Sequence, residues 1–304
     1  MTGNKDLNIK ILVAYHKPYK LFKNEMFVPI HVGRDIAFEK SKDGLISKED
    51  YAWLEKNTIG DNTGDNISNL NREYCELSAI YWAWKNYEEL GNPDYIGLMH
   101  YRTFFNLSKY IKENKSKLNT KKGWYSREIL ADILSKYDMI IAKPLNLITD
   151  IKREEYKLEY TNEKCWNFSE QYYPELYRAL KEYNNDVHYK NMFILKREDF
   201  FTYCEILFNT LSDIKEKLVK QGESLDRALG YHAEGISSLI FMYFYKEKNL
   251  KHIEFPFLVI RQKSLVHHTL EYIMHCLSYR LIPFKKEHKY RKICEYGARF
   301  KKYL

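Results

Sequence analysis

The chain has 304 residues, 45% of them hydrophobic and 30% charged, which is typical of a packed globular protein with one large domain or two small ones. The net charge of +8 is concentrated at the C-terminus, because residues 276–304 carry a net +7. Residues 1–275 therefore carry only +1. This nearly neutral charge and the lack of a nucleic-acid motif argue against a nucleic-acid-binding protein. No apolar run approaches the roughly 18 residues that span a bilayer, and Ile9–Tyr15 is too short for a signal peptide. We therefore expect a cytoplasmic protein, free or attached to the inner face of the membrane.

Strand-like and helical patterns alternate along the chain. The predicted strands are 9–15, 27–33, 94–99, 137–142, 191–196 and 257–261. The predicted helices are 48–56, a helix after residue 71 with a buried face at Leu77, Ile80, Tyr81, Trp84 and Tyr87, a stretch near 170–184, and the segments 197–217 and 231–248. This alternation indicates an α/β domain with a mostly parallel central sheet over residues 1–265, followed by a basic C-terminal segment, 266–304.

Asp61–Asn71 is dense in Gly, Asn and Asp and predicts a loop. Its last Asn or Ser residues are natural N-caps for the helix that follows. That helix N-terminus could receive an anion, but two Asp residues in the loop favour recognition of a ribose or sugar hydroxyl by Asp65 or Asn66. The loop is neither a Walker A motif nor a GxGxxG fingerprint, which argues against a kinase and a dehydrogenase.

Three polar clusters directly follow predicted strands: His16-Lys17, His100-Tyr-Arg102 and Lys143-Pro144. Ligands of open α/β sheets bind at the carboxyl ends of strands, so residues there are site candidates. Ordinary loop polarity is the simpler explanation for His16 or Lys143 alone. His100-Tyr-Arg102 favours a site, since Arg102 could bind a diphosphate in bidentate fashion.

Glu234 opens an otherwise apolar helical stretch, and no Lys or Arg adjoins it. A carboxylate in partly apolar surroundings has a raised pKa and could act as a general base. A first-turn Glu that only complements the helix dipole is the alternative. Asp186 and Asp94 are the reserve candidates for the base.

Five cysteines occur without CxxC spacing, which favours reduced core thiols over a zinc site or a disulfide framework. The 27 Tyr, 16 Phe and 5 Trp suit stacking on sugars and bases, although a codon bias would explain them equally well.

Five motifs, in this order and spanning about residues 9–262, resemble the DUF4422 family. They are Asp61-Asn-Thr-Gly-Asp-Asn-Ile-Ser68, Tyr74-Cys-Glu-Leu-Ser-Ala-Ile-Tyr-Trp-Ala-Trp-Lys-Asn86, His100-Tyr-Arg102 after Ile96-Gly-Leu-Met99, Asn191-Met-Phe193 and Gly230-Tyr-His-Ala-Glu234.

The resemblance implies a GT-A-like glycosyltransferase of capsule, O-antigen or exopolysaccharide synthesis. On that basis we expect an inverting transfer of a hexose, galactose or galactofuranose, from a UDP-sugar to a surface polysaccharide or a lipid-linked oligosaccharide. Thr103 stands where the family usually has a second Arg, and Gly235 where it has a basic residue. A non-catalytic protein that binds carbohydrate or nucleotide sugar is therefore the alternative.

The resemblance implies that the nucleotide pocket is lined by Tyr15, His16 and Lys17, with Asp65, Asn66 and Asn71 nearby. Together with the residue patterns above, it leads to the following assignment. The catalytic residues are Glu234 as base and Arg102 at the leaving diphosphate; the donor-binding residues are Tyr15, His16, Lys17, Asp65, Asn66, Asn71, His100, Tyr101 and Lys143; the acceptor-binding residues are Asn191, Tyr231 and His232.

No metal ligand is assigned. His100-Tyr-Arg102 occupies the place where a GT-A enzyme normally has an Asp-x-Asp metal motif, so we expect Arg102, aided by Lys17, to offset the charge of the departing UDP without an essential cation. His100 alone would be a poor ligand for Mg²⁺, which prefers oxygen. A requirement for Mn²⁺ or Mg²⁺ is the alternative.

The basic C-terminal segment has an amphipathic pattern, with one helical stripe formed by Tyr290, Ile293, Cys294, Gly297, Phe300 and Leu304. Such a helix suggests attachment to an anionic membrane, which would suit a lipid-linked acceptor. A solvated helix docked on the domain is an equal alternative.

Overall fold

In this computed structural model the described residues are 7–41, 44–114, 125–146 and 186–260. The strands are β1 Ile9–Tyr15, β2 Phe27–His31, β3 Ile59–Gly60, β4 Tyr95–His100, β5 Thr103–Phe105, β6 Met139–Ala142, β7 Leu145–Asn146, β8 Asp186–Val187, β9 Phe193–Lys196, β10 His252–Phe255 and β11 Phe257–Val259. The helices are α1 Lys48–Asn57, α2 Asn71–Tyr74, α3 Leu77–Lys85, α4 Ser108–Glu113, α5 Arg127–Leu134, α6 Arg197–Gln221 and α7 Ala228–Lys246.

The main sheet has the order β10-β6-β9-β4-β1-β2-β3, with β5 paired to both β4 and β11. The pairings of β1 with β2 and β4, of β2 with β3, and of β6 with β10 are parallel. Along this path of described strands only β9 runs against the others, because it is antiparallel to both β4 and β6. The predicted α/β class with a mostly parallel sheet is therefore confirmed.

The sheet lies between two layers of helices. Side chains of β1 alternate between the layers: Leu12 and Ala14 face α3, α6 and α7, whereas Ile11, Val13 and Tyr15 face α1, α4 and α5. Burial on both faces explains why β1 is a continuous apolar run, as expected for a central strand in a parallel sheet.

The reversed strand β9 decides which residues reach the site. Because it is antiparallel, the 3₁₀ turn Tyr189–Asn191 that precedes it lies at the edge where β1 and β4 end. Gly97 of β4 allows this pairing, since a Cβ there would lie 2.6 Å from the carbonyl oxygen of Phe193.

Several element predictions need correction. The helix expected after residue 71 is broken at Cys75, whose φ of 52° ends α2, so the buried side chains of α3 include Trp82 and Ala83, whereas Tyr81 and Trp84 are half-buried. The last predicted strand, 257–261, corresponds to β11, and β10, which precedes it and pairs with β6, was not predicted.

Other predictions lie outside the described residues. The helical stretch near 170–184 and the segment 266–304 are among them, so the proposed domain boundary and the amphipathic tail stay predictions. In the part of the chain that the structure describes, no helix has the length and apolar character needed to cross a membrane.

Candidate active site

The polar residues that follow β1 and β4 meet at one edge of the sheet. Ala14 pairs with His100 in the parallel β1–β4 ladder, so the segments after these strands leave the sheet side by side. The backbone N–H of Tyr101 donates to the carbonyl of Ala14 at 3.1 Å. The expected convergence of His16 with His100-Tyr-Arg102 at the carboxyl edge therefore follows from strand register.

Tyr101 is the centre of an aromatic cluster at this edge. Its buried ring contacts the rings of Tyr15, His16 and Tyr19, with centroid distances of 5.6, 5.1 and 5.2 Å. The guanidinium carbon of Arg102 lies 5.0 Å from the centroid of the same ring. Arg102 itself is exposed, so its charged group is accessible from solvent at the end of β4.

Tyr15 needs a correction, because it presents no side-chain surface to a donor. The residue is 0% exposed, and its hydroxyl donates to the carbonyl of Lys20 at 2.8 Å and accepts from the N–H of Phe22 at 3.0 Å. Burial raises its pKa to about 12. The family resemblance implied a pocket residue here, but the fold uses the Tyr15 side chain to anchor the loop after β1.

The remaining cations of the predicted donor site are spread along the edge. Lys17 is half-buried in the loop after β1, and Lys143 is exposed after β6. The backbone N–H of Lys143 donates to the carbonyl of Phe255, which fixes the ends of β6 and β10 to one another. Lys143 is thus on the same edge, but three strands away from β1 in the sheet order.

The polar side chains of the 61–71 loop are largely used by the loop itself. Asn66 donates to the carbonyl of Gly64 and accepts from the N–H of Ser68. Asn71 donates to the carbonyl of Cys75 at 2.5 Å and to the hydroxyl of Ser78 at 3.0 Å. Asp65 is exposed and accepts from the hydroxyl of Tyr81 at 3.2 Å. Asp65 is therefore the most exposed of these three side chains, since Asn66 and Asn71 are half-buried.

The predicted N-caps in this loop are wrong. Neither the 3₁₀ turn Ser68–Leu70 nor α2 has a side-chain hydrogen bond at its N-cap. The reason is that Ser68 instead donates to Asp61 at 2.6 Å, and Asn71 bonds to groups that follow α2. With only four residues, α2 is also too short to offer an anion site.

Glu234 lies in the second turn of α7, which begins at Ala228. Its Oε1 accepts a hydrogen bond from the backbone N–H of Lys190 at 2.7 Å. The interpretation of Glu234 as a first-turn residue serving the helix dipole is therefore wrong, because the helix begins six residues before Glu234. The carboxylate instead joins α7 to the turn before β9.

The environment of Glu234 raises its pKa to about 7, mainly through burial and then through the negative charge of Glu76. The hydrogen bond from Lys190 and the charges of Lys190 and Arg227 act in the opposite direction. A carboxyl group with this pKa is suited to take and release a proton near neutral pH.

The turn that holds Glu234 has an unusual backbone. Lys190 and Asn191 have φ values of 71° and 50°, which non-glycine residues adopt only where surrounding contacts hold them. One such contact comes from β4: Nε2 of His100 lies 2.8 Å from the carbonyl oxygen of Lys190. Since a carbonyl oxygen can only accept, this ring nitrogen is the donor.

The prediction for Asn191 also needs a correction, because its side chain cannot contact a saccharide acceptor in this structure. It is 0% exposed, accepts from the hydroxyl of Ser237 at 3.2 Å and donates to Oε1 of Glu76 at 3.0 Å. Tyr231, by contrast, is 49% exposed on α7, and His232 is half-buried beside it. The exposed Tyr231 ring retains the geometry to stack on a sugar.

The reserve bases are not equivalent. Asp94 precedes β4 and therefore lies at the opposite edge of the sheet from Glu234, where it accepts from the N–H of Asn8. It is excluded as the base of this site. Asp186 belongs to β8 and stays an untested candidate.

Two acidic residues were not singled out from the sequence: Glu76 of the site and Asp61 of the 61–71 loop. Glu76 lies between the apolar residues Cys75 and Leu77 of the 74–86 motif. A carboxylate between apolar residues was the sequence signal that could have identified it. Asp61 is 0% exposed and accepts from the N–H groups of Gly33 and Arg34 at 2.7 and 3.1 Å. Asp61 thereby joins the turn after β2 to the 61–71 loop.

Among the described residues, no three or more His, Cys, Asp or Glu side chains are arranged to hold a metal ion. The expectation of a cation-independent site stays a prediction.

The chain resembles the apo structure of the bifunctional glycosyltransferase WbbM, with a TM-score of 0.63 and 24% identity over 84% of this chain and 46% of that chain. The chain thus spans less than half of the WbbM chain, and the likeness shows a shared fold. No curated protein matches the chain. The family described as domain of unknown function DUF4422 matches over residues 10–248, and the chain belongs to that family.

Proposed function

We propose that the chain is a glycosyltransferase that moves a hexose, galactose or galactofuranose, from a UDP-sugar to a surface polysaccharide or a lipid-linked oligosaccharide. The proposal depends on the environment of Glu234. This carboxyl group has a pKa of about 7, and a hydrogen bond from the turn before β9 holds it at the carboxyl edge of the sheet. The fold shared with a glycosyltransferase and the DUF4422 motifs support it.

In the proposed reaction Glu234 takes the proton of an acceptor hydroxyl as that oxygen attacks the anomeric carbon. The bond between this carbon and the donor's phosphate oxygen breaks, and UDP leaves with the bonding electrons. A single displacement inverts the anomeric centre. Negative charge grows on the diphosphate, and the exposed guanidinium of Arg102 is the group that we assign to offset it.

Tyr231 gives the acceptor a surface to stack on, and Asp65 offers the donor a hydroxyl-binding carboxylate. The guanidinium of Arg102 lies over the ring of the buried Tyr101, and this cation–π contact helps to hold Arg102 in position.

The test is nucleotide release by the purified full chain from UDP-, GDP-, dTDP- and CMP-sugars, with and without a mixture of saccharide acceptors. We expect UDP release from a UDP-hexose that increases when acceptor is added. Donor binding without release in any combination would contradict the proposal and indicate a carbohydrate-binding protein. Repeating the assay with EDTA tests the cation prediction, which fails if activity disappears and Mn²⁺ restores it.

The membrane attachment is tested on the full chain. Replacing Lys285, Lys286 and Lys289 by Gln should weaken sedimentation with anionic liposomes, because each basic residue near such a surface contributes about 1 kcal/mol. Equal sedimentation of this variant and the wild type would contradict the prediction.

A further inference from the structure

One turn contacts both carboxylates of the site. Glu234 accepts from the backbone N–H of Lys190, and Glu76 accepts from the side chain of the next residue, Asn191. His100 is 2.8 Å from the Lys190 carbonyl oxygen, and the same Nε2 lies 3.9 Å from Oε1 of Glu76. Two acidic groups from separate helical segments are thus tied to neighbouring residues of the same turn.

A buried chain of donors ends on Glu76. The amide nitrogen of Asn191 can only donate, so its oxygen must be the atom that accepts from Ser237. Ser237 uses its proton for this bond, and the hydroxyl of Tyr203, 2.8 Å away, must therefore donate to Ser237. Tyr203, Ser237 and Asn191 are all 0% exposed. Every bond in this chain points toward Glu76, so Glu76 is the acceptor at its end.

The backbone around Glu76 is also closely determined. Cys75 has a φ of 52°, and α7 packs directly against it, because a Cβ at Gly230 would lie 2.9 Å from the sulfur of Cys75. The peptide before α7 adds a second tie, from the N–H of Arg227 to the carbonyl of Arg72 at 2.7 Å. The segment that bears Glu76 and the helix that bears Glu234 are thereby fixed to each other.

We infer that Glu76 is a positioning carboxylate of this site: held by Asn191, it keeps a negative charge beside Glu234 and makes Glu234 the member of the pair that accepts a proton. The inference rests on the proposed function. In this role Asn191 positions Glu76 and does not bind the saccharide acceptor, in contrast to the prediction from sequence.

The charged groups that shift the pKa of Glu234 come from three separate segments of the chain. Glu76 before α3 raises its pKa, while Lys190 before β9 and Arg227 before α7 lower it. His100 of β4 adds a fourth group, next to Glu76. Since burial and Glu76 prevail over the two cations, removing the charge of Glu76 should let Glu234 ionise at a lower pH.

The test is direct titration of Glu234 in the full chain by carbon NMR, with glutamate carboxyl groups labelled and the Glu234 resonance assigned from Glu234→Gln. In Glu76→Gln we expect the midpoint to fall by on the order of one pH unit, while Glu76→Asp, which keeps the charge, restores most of it. Glu73→Gln is the matched control: it removes the same charge from α2, where Glu73 pairs with Lys215 at 2.7 Å, and should leave the midpoint unchanged.

Activity provides the second readout. In Glu76→Gln the acid limb of kcat/KM should move with the NMR midpoint, and kcat should fall while the KM for the donor stays unchanged. A midpoint equal in Glu76→Gln, Glu73→Gln and wild type would overturn the inference even if all three were active. A shifted midpoint in a chain that transfers no sugar would support the carboxylate pair and contradict the proposed function, so the two failures are distinguishable.

Discussion

The 61–71 loop and the cluster of Glu76, His100, Lys190, Asn191 and Glu234 use polar residues in opposite ways. The loop is densely polar in sequence, yet Asn66 and Asn71 satisfy groups of the loop and of the helix that follows. Short polar side chains commonly bond to nearby backbone in this way. The cluster draws its polar residues from four segments that are far apart in the chain, and it contains the carboxylate with the raised pKa. Polar density therefore marked a structural loop, whereas isolated acidic residues in apolar surroundings marked the candidate site.

The largest effect that would test this contrast is expected from Glu234→Gln. Removing a positioned base typically lowers kcat by about 10²–10⁴-fold, and the neutral amide should still accept the hydrogen bond from Lys190. Steady-state transfer assays measure the change. Glu205→Gln, an exposed acid on α6, is the control and should keep wild-type turnover. Wild-type turnover in Glu234→Gln would remove Glu234 from the mechanism.

Arg102→Ala should lower kcat/KM for the UDP-sugar by roughly 10–100-fold, the equivalent of one hydrogen bond to a charged group. Because Arg102 is exposed, the free energy of unfolding should change by less than about 0.5 kcal/mol. Lys48→Ala, which removes an exposed cation of α1, is the matched control for net charge. If both variants keep full kcat/KM, Arg102 does not act on the diphosphate.

Asp61→Ala should lower the free energy of unfolding by about 2–3 kcal/mol, because the buried N–H group of Gly33 and the half-buried N–H group of Arg34 lose their acceptor. Urea unfolding monitored by Trp fluorescence measures the change. Asp65→Ala, in the same loop but exposed, should cost less than about 0.5 kcal/mol. Equal costs would mean that the loop is not organised around Asp61.

The smallest effect is a pH dependence. Glu234 must be deprotonated to act as base, so with a pKa of about 7 the value of kcat/KM at pH 6 should be about tenfold below its plateau above pH 8. An acid limb near pH 4.5, the ordinary value for Glu, would show that its environment does not raise the pKa during catalysis.

The same pKa shift has a consequence for stability. Because the pKa of Glu234 is higher in the folded chain than in the unfolded chain, its protonated form favours folding below about pH 4.5. This contribution should be lost as the pH rises through about 7. The free energy of unfolding should therefore decline less over this interval in Glu234→Gln than in the wild type.

Much of the fold could be predicted from sequence. β1, β4, β6, β9, α6 and α7 were each found, with boundaries that differ by a few residues, because apolar periodicity and turn residues are local signals. β5 was missed, since its three residues carry too short a pattern, and the break at Cys75 was missed because the apolar pattern continues through it.

The candidate site was predicted less completely. Glu234, His100 and Arg102 could be selected from sequence because each interrupts or ends an apolar stretch. The roles of Tyr15 and Asn191 could not, because burial of a polar side chain depends on which partners the fold brings to it.

By itself the sequence determined the alternation of strands and helices, the α/β class, the family motifs and the choice of Glu234 as candidate base. Only the tertiary structure decided that β9 runs in reverse and so delivers Lys190 and Asn191 to the carboxyl edge. The tertiary structure also decided that Glu76 lies near Glu234 at this edge of the sheet. The reason is physical: propensity and periodicity act over neighbouring residues, whereas strand direction, burial and the interaction of two like charges depend on segments far apart in the chain.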